Sequence, residues 1–283
     1  MSGLVGFLQA FQQRLIQKNE KEPNMTHQAT LEKMQQLRLH GMTTAFRASL
    51  ELPLKTNGKE QFTIDEFVAL LIDAEWEERE NRKLSRLIKN ADFRYKACFE
   101  QIDFGQNRKL DKNLVLRLSA CQWIEKAENV LISGATGVGK SFLACALGHQ
   151  ACLQGFKCLY FNSMKLFSRL KFAKADGTYG KEMQKIQKQH LLILDDFGLH
   201  PMDEQSKFIL LELMEDRYGE KSTIIASQLP PDKWHAMLNN PTLADAICDR
   251  LIHNAFKINL HGDSMRKTKK TDSGLNFPKD SKK

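Results

Sequence analysis

Eight consecutive residues constrain this chain more than any other part of its sequence. Residues 134–141 read GATGVGKS and match the pattern GxxxxGK followed by Ser or Thr at every fixed position. Glycines let backbone N–H groups turn inward and form a nest for an anion, where larger side chains would obstruct it. A lysine here neutralises phosphate charge, and a serine hydroxyl is a ligand for Mg²⁺. The predicted phosphate-binding residues are Gly134, Ala135, Thr136, Gly137, Val138, Gly139, Lys140 and Ser141, and Ser141 is also a predicted metal ligand.

The segments around this motif predict an α/β fold. A short apolar run directly precedes the motif, and a helical pattern, Phe142–Gln154, follows it. Further along the chain, apolar runs of strand length alternate with helical stretches such as Lys207–Tyr218. Short buried strands that alternate with helices indicate a three-layer α/β domain on a parallel sheet. The predicted strands are Asn129–Ser133, Cys158–Phe161, His190–Leu194, Ser222–Ala226 and Phe256–Leu260.

A pair of carboxylates follows the third predicted strand. Asp195 and Asp196 end the run that begins at His190, and its apolar residues place the strand inside the sheet. Both carboxylates then lie at the sheet edge where α/β proteins bind ligands. We predict that Asp195 holds Mg²⁺, often through water, and that Asp196 orients or deprotonates an attacking water. Adjacent aspartates could instead begin a turn before Gly198, but their pairing with Lys140 favours a site for a nucleoside triphosphate and Mg²⁺.

The chain is predicted to contain four regions. Residues 1–24 form a loose extension, 25–105 a helical N-terminal domain, 106–266 the α/β core, and 267–283 a basic disordered tail. In the second region, apolar residues from Leu31 to Leu50 keep helical spacing until Pro53. Thr63 and Glu66 form a capping-box signature, which opens a helix that runs toward Asn90.

The composition favours a protein of the reducing cytoplasm. The six cysteines show no CxxC spacing and the eight histidines no HExxH, so we expect buried free thiols and no zinc-type site. No apolar run approaches the roughly 18 residues that span a bilayer. The apolar stretch Leu4–Phe11 is too short to be a signal peptide, and no basic residues precede it.

The net charge of +8 is concentrated in two segments. Residues 164–189 and residues 264–283 each carry seven basic and two acidic residues, a net of 7 − 2 = +5 apiece. Such clustering is typical of a surface that binds nucleic-acid phosphates, although a solvated helix face and a disordered tail would give the same pattern. The predicted DNA-binding residues are Arg169, Lys171, Lys174, Lys181, Lys185 and Lys188, with a second basic stripe formed by Arg79, Arg82, Lys83 and Arg86.

Five stretches carry a family resemblance that extends beyond the phosphate motif. They are Leu31–Leu50, Glu128–Leu143, Leu191–Leu199 (LLILDDFGL), Ala226–Pro230 (ASQLP) and Leu243–Arg250 (LADAICDR). Together they resemble the IstB-like helpers of insertion-sequence transposition, which are AAA+ ATPases related to the DnaC helicase loaders. The resemblance covers roughly residues 28–268.

The resemblance implies roles for three more residues. Gln228 matches the polar sensor that contacts the γ-phosphate or the attacking water. Arg250 resembles the arginine finger that reaches in trans into a neighbouring subunit, although an ion pair with Asp249 or Asp245 is the alternative. Arg266 resembles the second sensor, which closes over the phosphates of its own subunit. Asp196 departs from the usual Glu of the AAA+ superfamily and is one methylene shorter, so hydrolysis is expected to be slow.

The implied function is ATP- and Mg²⁺-dependent assembly of a homo-oligomer on duplex target DNA, which delivers that DNA to a transposase of the same element. The N-terminal helical region is the expected oligomerisation or partner module. Contacts with DNA are expected to go to phosphates, with little sequence preference. A DnaC-like helicase loader acting on single-stranded DNA is the alternative, and a non-hydrolysing ATP-binding scaffold also remains open. A metabolic kinase fits least, because nothing resembles a site for a small acceptor.

Overall fold

The computed structural model describes residues 23–51, 55–56, 59–60, 63–105 and 109–265 of the 283-residue chain. The chain divides into two compact units, with the boundary between Lys83 and Leu84. Residues 84–105, which the sequence assigned to the N-terminal region, therefore belong to the second unit. The predicted second sensor Arg266 and the tail 267–283 lie outside the described residues, as do residues 1–22.

The first unit is helical, as predicted, apart from one small ribbon. Helices α1 (Pro23–Gln36) and α2 (His40–Glu51) are followed by the antiparallel strands β1 (Lys55–Thr56) and β2 (Lys59–Glu60). Helix α3 (Ile64–Ala91) begins in this unit and crosses the boundary. The capping box is confirmed, because the Thr63 backbone N–H donates to Glu66 Oε2 at 2.7 Å and the Glu66 N–H donates to Thr63 Oγ at 3.3 Å. The ribbon was not predicted.

Helices α2 and α3 of the first unit are joined at a glycine and a buried glutamate. A Cβ on Gly41 would lie 2.1 Å from the carbonyl oxygen of Ala74, so only glycine permits this approach. Glu75 Oε2 accepts hydrogen bonds from the N–H groups of Gly41 at 2.9 Å and Met42 at 3.3 Å, and Arg79 lies 2.7 Å from its other oxygen. Burial raises the pKa of Glu75, but these hydrogen bonds outweigh it and the pKa is lowered. Glu75 therefore holds the start of α2 as a carboxylate.

The second unit is built on a five-stranded parallel sheet. Its strands are β3 (Asn129–Gly134), β4 (Cys158–Asn162), β5 (Leu191–Phe197), β6 (Ser222–Ser227) and β7 (Ala255–Leu260). Their order across the sheet is β4-β5-β6-β3-β7. The helices are α4 (Lys112–Ser119), α5 (Gln122–Glu125), α6 (Lys140–Leu153), α7 (Ser163–Ala175), α8 (Tyr179–Gln187), α9 (Glu204–Glu215), α10 (Trp234–Leu238) and α11 (Pro241–Ile252).

The sheet separates two hydrophobic layers, which confirms the predicted three-layer α/β architecture. Along β3, Val130 and Ile132 join the layer that contains α6, whereas Leu131 joins the layer that contains α7, α9 and α11. This alternation follows from the two-residue repeat of a strand. The predicted strands all occur, and their ends differ from the predicted ones by at most three residues. All six cysteines are free, and Cys121, Cys145, Cys152 and Cys158 are buried.

A fully buried arginine fixes the end of α8 to the sheet. Arg217 donates to the carbonyl oxygens of Gln189 at 3.2 Å and Ile186 at 3.4 Å, and also to that of Ser222. Its Nε donates to Thr223 Oγ1 at 3.1 Å. Burial lowers the pKa of Arg217 to about 9, so the side chain is still a cation at neutral pH. The terminal carbonyls of α8 thus have a charged donor instead of water.

Candidate functional site

The phosphate motif forms a tight loop between β3 and α6. Gly134, Gly137 and Gly139 have φ values of +146°, +87° and +98°, conformations that favour glycine. A Cβ on Gly134 would lie 2.3 Å from the carbonyl oxygen of Leu260, and one on Gly137 would lie 2.2 Å from Ser264 Oγ. The glycines therefore allow the loop to turn, and they leave room for the segment after β7 to pack against it.

Lys140 is the first residue of α6 and points back across the loop. Its Nζ donates to the carbonyl oxygens of Gly134 and Ala135, both at 2.8 Å. The side chain is buried even though it is charged. An ammonium group held at the mouth of a glycine loop and at a helix N-terminus provides a concentrated positive potential for phosphate.

Ser141 and Asp195 meet directly, as the sequence predicted for two residues of one metal site. Ser141 Oγ donates to Asp195 Oδ1 at 2.8 Å, and the Asp195 side chain is almost completely buried. Asp195 Oδ2 accepts a hydrogen bond of 2.6 Å from the Tyr160 hydroxyl on the neighbouring strand β4. Burial and then the hydrogen bond to Asp195 raise the pKa of Tyr160, so this hydroxyl stays protonated and remains a donor.

Asp196 has an unusual backbone conformation at the end of β5. Its φ is +56°, and the pairing of β5 with β6 shifts register between Leu194 and Phe197. A non-glycine residue with positive φ stores strain that is typical of functional sites. The turned backbone lets the Asp196 N–H donate to Asp195 Oδ1 at 2.9 Å, and Asn162 Nδ2 donates to Asp196 Oδ2 at 2.9 Å.

Arg94 is a member of this site that sequence reasoning missed. Its Nη1 lies 3.4 Å from Asp195 Oδ2 and 3.2 Å from Asp196 Oδ2. Tyr160 and Asn162 were also missed. Ligand sites in α/β proteins form at the carboxyl ends of parallel strands. This rule would have found Asn162, which pairs with Asp195 in the sheet register. No local pattern marks Arg94, which lies about a hundred residues earlier in sequence.

One further predicted residue, Gln228, lies at the same sheet edge. Gln228 directly follows β6, the strand that pairs with β5, and is partly buried. The segment after β7 reaches the phosphate loop, where the N–H of Met265 donates to the carbonyl oxygen of Gly137 at 3.0 Å. Arg266 comes next in the sequence and lies outside the described residues.

Arg250 lies on α11, away from the phosphate loop of its own chain. Its Nη2 is 3.0 Å from Glu215 Oε1, and its Nη1 donates to the Ala246 carbonyl at 2.8 Å. The ion pair is thus with Glu215, and neither Asp245 nor Asp249 is the partner. The Arg250 carbonyl accepts from Asn129 at the amino end of β3 at 3.2 Å, so this region lies at the sheet edge opposite the carboxylates. A cavity of about 150 Å³ opens there beside Arg250.

The predicted DNA-binding residues fall into three groups, on α7, on α3 and at α8. Arg169, Lys171 and Lys174 on α7 lie 2.8, 2.8 and 4.0 Å from Glu182, Asp203 and Glu212. On α3, Arg79, Arg82 and Lys83 pair with acidic residues of the same helix, and Arg86 lies one turn further on. Lys181, Lys185 and Lys188 on or next to α8 are exposed and make no ion pair within the described part of the chain. The cationic surface that is free to meet a polyanion is therefore smaller than the sequence suggested.

The donor set at Ser141 and Asp195 fits Mg²⁺. A hydroxyl and one carboxylate are hard oxygen ligands, and Mg²⁺ is commonly held by one or two protein groups together with phosphates and water. Across the residues that the structure describes, no cluster of three or more His, Cys, Asp or Glu could hold a metal by itself. No helix in the same residues is long and apolar enough to cross a membrane.

The parallel sheet, the glycine loop with Lys140 and the Ser141–Asp195 pair define a P-loop nucleotide-binding fold. DnaI and AMPPCP-bound DnaA from Aquifex aeolicus share this fold. DnaI is 19% identical, with a TM-score of 0.51 over 62% of this chain and 93% of its own. DnaA is 21% identical, with a TM-score of 0.52 over 66% of this chain and 58% of its own.

Sequence comparison identifies the family. The model of the IstB-like ATP binding proteins matches residues 32–273, and the chain belongs to that family. It is 44% identical to the insertion sequence ATP-binding protein y4pL of Sinorhizobium fredii over 86% of this chain and 98% of that protein. It is 42% identical to the ATP-binding protein of insertion sequence IS1162 of Pseudomonas fluorescens over 77% of this chain and 93% of that protein. The family resemblance drawn from the sequence motifs is confirmed.

Proposed function

We propose that this chain is a Mg²⁺-dependent ATPase that assembles on duplex target DNA and delivers it to the transposase of its insertion sequence. The observation that carries the enzymatic part is the contact between Ser141 and Asp195 beside the buried Lys140. These three groups lie on two separate elements, α6 and β5, and converge at the end of the sheet where nucleotides bind. The names of the relatives, which are ATP-binding proteins of insertion sequences, support the transposition context.

Each residue of the site has a proposed task. The glycine loop and Lys140 bind the β- and γ-phosphates, and Ser141 with Asp195 holds Mg²⁺, which neutralises the charge of the transferred phosphoryl group. Asp196 accepts a proton from, or orients, the attacking water. Gln228 contacts the γ-phosphate or that water, and Arg266 closes over the phosphates. The short Asp196 side chain, already engaged by Asn162, supports a slow rate for the protein alone.

The position of Arg250 supports an oligomer. Arg250 lies toward the sheet edge opposite Asp195. Its guanidinium is therefore better placed to contact the nucleotide of a second copy than the nucleotide bound to its own chain. A trans arginine finger contributes about 10³–10⁵ in rate by neutralising charge in the transition state. ATP would then bridge neighbouring subunits, and hydrolysis would release them.

The DNA partner is proposed from charge. Lys181, Lys185 and Lys188 are at i, i+4 and i+7 and share one face at α8, where no acidic side chain of the described residues pairs with them. They would contact phosphates and would not read bases, so binding should depend on salt more than on sequence.

The enzymatic proposal is tested by ATP binding and hydrolysis in four proteins. We expect Lys140→Ala to lose ATP binding and Asp196→Asn to bind ATP with near-normal affinity but to hydrolyse it at least about tenfold more slowly. Lys126→Ala removes an exposed lysine of the same unit and should match the wild type.

Two outcomes would contradict the proposal. Unchanged ATP binding by Lys140→Ala would remove the assignment of the nucleotide site. Normal binding without any hydrolysis by the wild type, with DNA or without it, would leave a non-hydrolysing scaffold.

A further inference from the structure

One guanidinium bridges the two carboxylates at the end of β5. Arg94 Nη1 approaches Oδ2 of both Asp195 and Asp196, at 3.4 and 3.2 Å. The guanidinium also lies 5.5 Å from the centre of the Tyr95 ring, a distance at which cation–π attraction helps to hold it. Its side chain is 40% exposed, so it can leave the carboxylates at modest cost.

The two carboxylates need a counter-charge. Asp195 and Asp196 are neighbours in sequence, and the register shift at the end of β5 brings the N–H of one onto the carboxylate of the other. The Asp195 side chain is almost completely buried, so water screens its charge poorly. Tyr160, Ser141 and Asn162 donate hydrogen bonds to the pair but carry no charge.

Arg94 and a divalent cation would draw on the same negative charge. Ser141 donates to Oδ1 of Asp195, and these two residues would hold Mg²⁺, whereas Arg94 lies beside Oδ2 of the same carboxylate. The charge of Arg94 weakens the attraction of the two carboxylates for Mg²⁺, and bound Mg²⁺ weakens their attraction for Arg94. Arg94 also shares Oδ2 of Asp196 with Asn162, so that oxygen has less capacity to accept a proton or orient a water.

We propose that Arg94 is a positioning residue that restrains this site, acting as an internal counter-ion that weakens Mg²⁺ binding and holds Asp196 away from the attacking water. The inference rests on the proposed ATPase function and adds a form of regulation to it. Hydrolysis accelerates when Arg94 leaves Asp196. Arg94 follows the end of α3 by three residues, so a partner that displaces this segment would release the restraint.

The test compares Arg94→Gln with a matched charge deletion two residues away. Lys96 is exposed and makes no contact with Asp195 or Asp196, so Lys96→Gln removes the same charge from the same segment. The melting temperature is measured against Mg²⁺ concentration without nucleotide, and then ATP affinity and basal hydrolysis are measured. We expect the Mg²⁺ concentration for half-maximal stabilisation to fall about fivefold or more in Arg94→Gln, as expected when a unit charge a few ångströms away is removed. Basal hydrolysis should rise, and Lys96→Gln should match the wild type.

Arg94→Lys separates charge from geometry. An ammonium keeps the charge, so the Mg²⁺ midpoint should return to within about twofold of the wild type. The lysine side chain is shorter than that of arginine, so its ammonium cannot occupy the position from which Nη1 contacts both carboxylates, and basal hydrolysis should stay above the wild-type rate. This variant also serves as the test if Arg94→Gln does not fold.

The inference is overturned if Arg94→Gln has the Mg²⁺ midpoint and hydrolysis rate of Lys96→Gln. It is also overturned if Arg94→Gln weakens ATP binding with an unchanged Mg²⁺ midpoint, since Arg94 would then be a phosphate ligand. Failure of the proposed function looks different, because the wild type itself would then not bind ATP or would be unaffected by Lys140→Ala.

Discussion

Individual glycines decide the shape of the phosphate loop, and Gly137 shows this most clearly. Its φ of +87° almost equals the +85° of Gly155, but the surroundings differ. A Cβ on Gly137 would lie 2.2 Å from Ser264 Oγ and 2.8 Å from Ser264 Cβ, whereas a Cβ on Gly155 would meet nothing within 4 Å. A substitution at Gly155 therefore tests backbone strain alone, whereas one at Gly137 adds a steric collision with Ser264.

We predict unequal effects of alanine at these two glycines. Gly155→Ala should lower the free energy of unfolding by about 1–2 kcal/mol, the cost of a left-handed conformation for a residue with a Cβ. Gly137→Ala should cost more and should also reduce ATP affinity, because the new methyl group pushes residues 262–265 off the loop. Urea unfolding and ATP titration measure the two effects. Equal losses in both variants, with ATP affinity retained, would contradict the contact between Ser264 and the loop.

At the residue scale, the sequence predicted what local motifs encode. Lys140, Ser141 and Asp195 converge as expected, because the spacing within each motif and the parallel sheet determine their positions. Arg94 could not be predicted, since its contacts span about a hundred residues and depend on tertiary packing. The positive φ of Asp196 was equally hidden, because it arises from the register between two strands.

At the scale of elements, α7 and α8 contrast in how their basic residues are used. On α7, Arg169, Lys171 and Lys174 pair with acidic residues that lie on α8 or at α9, namely Glu182, Asp203 and Glu212. Helix α8 is anchored by Arg217, which holds its terminal carbonyls, and presents its lysines outward. The same residue types thus have a structural role on one helix and a solvent-facing role on the next.

We predict that the α8 lysines contribute more to DNA binding than the basic residues of α7. Replacing Lys181, Lys185 and Lys188 by Gln should weaken duplex binding and reduce the slope of log K against log salt by about 2.7, or about 0.9 for each phosphate that a lysine no longer neutralises. The matched triple Gln variant of Arg169, Lys171 and Lys174 should change the slope by about 1 or less and instead lower the melting temperature. Fluorescence anisotropy across a salt series measures the slopes. A larger slope change in the α7 variant would refute the assignment.

The elements themselves were predicted more closely than their junctions. All five predicted strands occur. The prediction succeeded because buried parallel strands consist of nearly continuous apolar residues, which are easy to recognise in the sequence. The region from Leu31 to Leu50 forms two helices instead of one continuous pattern, because Arg38 takes a φ of +59° between them. The apolar residues keep their helical spacing across this short break, so periodicity alone does not reveal the end of α1.

At the scale of the whole molecule, the proposed function divides one nucleotide site between residues at opposite edges of the sheet. The phosphate loop and the carboxylates lie at the carboxyl edge, and Arg250 lies toward the amino edge with Glu215 as its partner. Two copies arranged head to tail would bring Arg250 of one to the ATP of the other. Heterologous contacts of this kind produce rings or open filaments. The central claim is therefore that ATP is part of the interface between subunits.

Light scattering with duplex DNA tests this claim most directly. The size distribution is measured with ATP, with ADP and without nucleotide, for the wild type, Lys140→Ala and Arg250→Ala, with Arg117→Ala as an arginine control elsewhere in the second unit. The account predicts large complexes for the wild type and Arg117→Ala with ATP only. Lys140→Ala, which cannot bind ATP, and Arg250→Ala, which cannot engage a neighbour's ATP, should both remain small. A wild type that stays monomeric with ATP and DNA, or an Arg250→Ala variant that assembles normally, would contradict it.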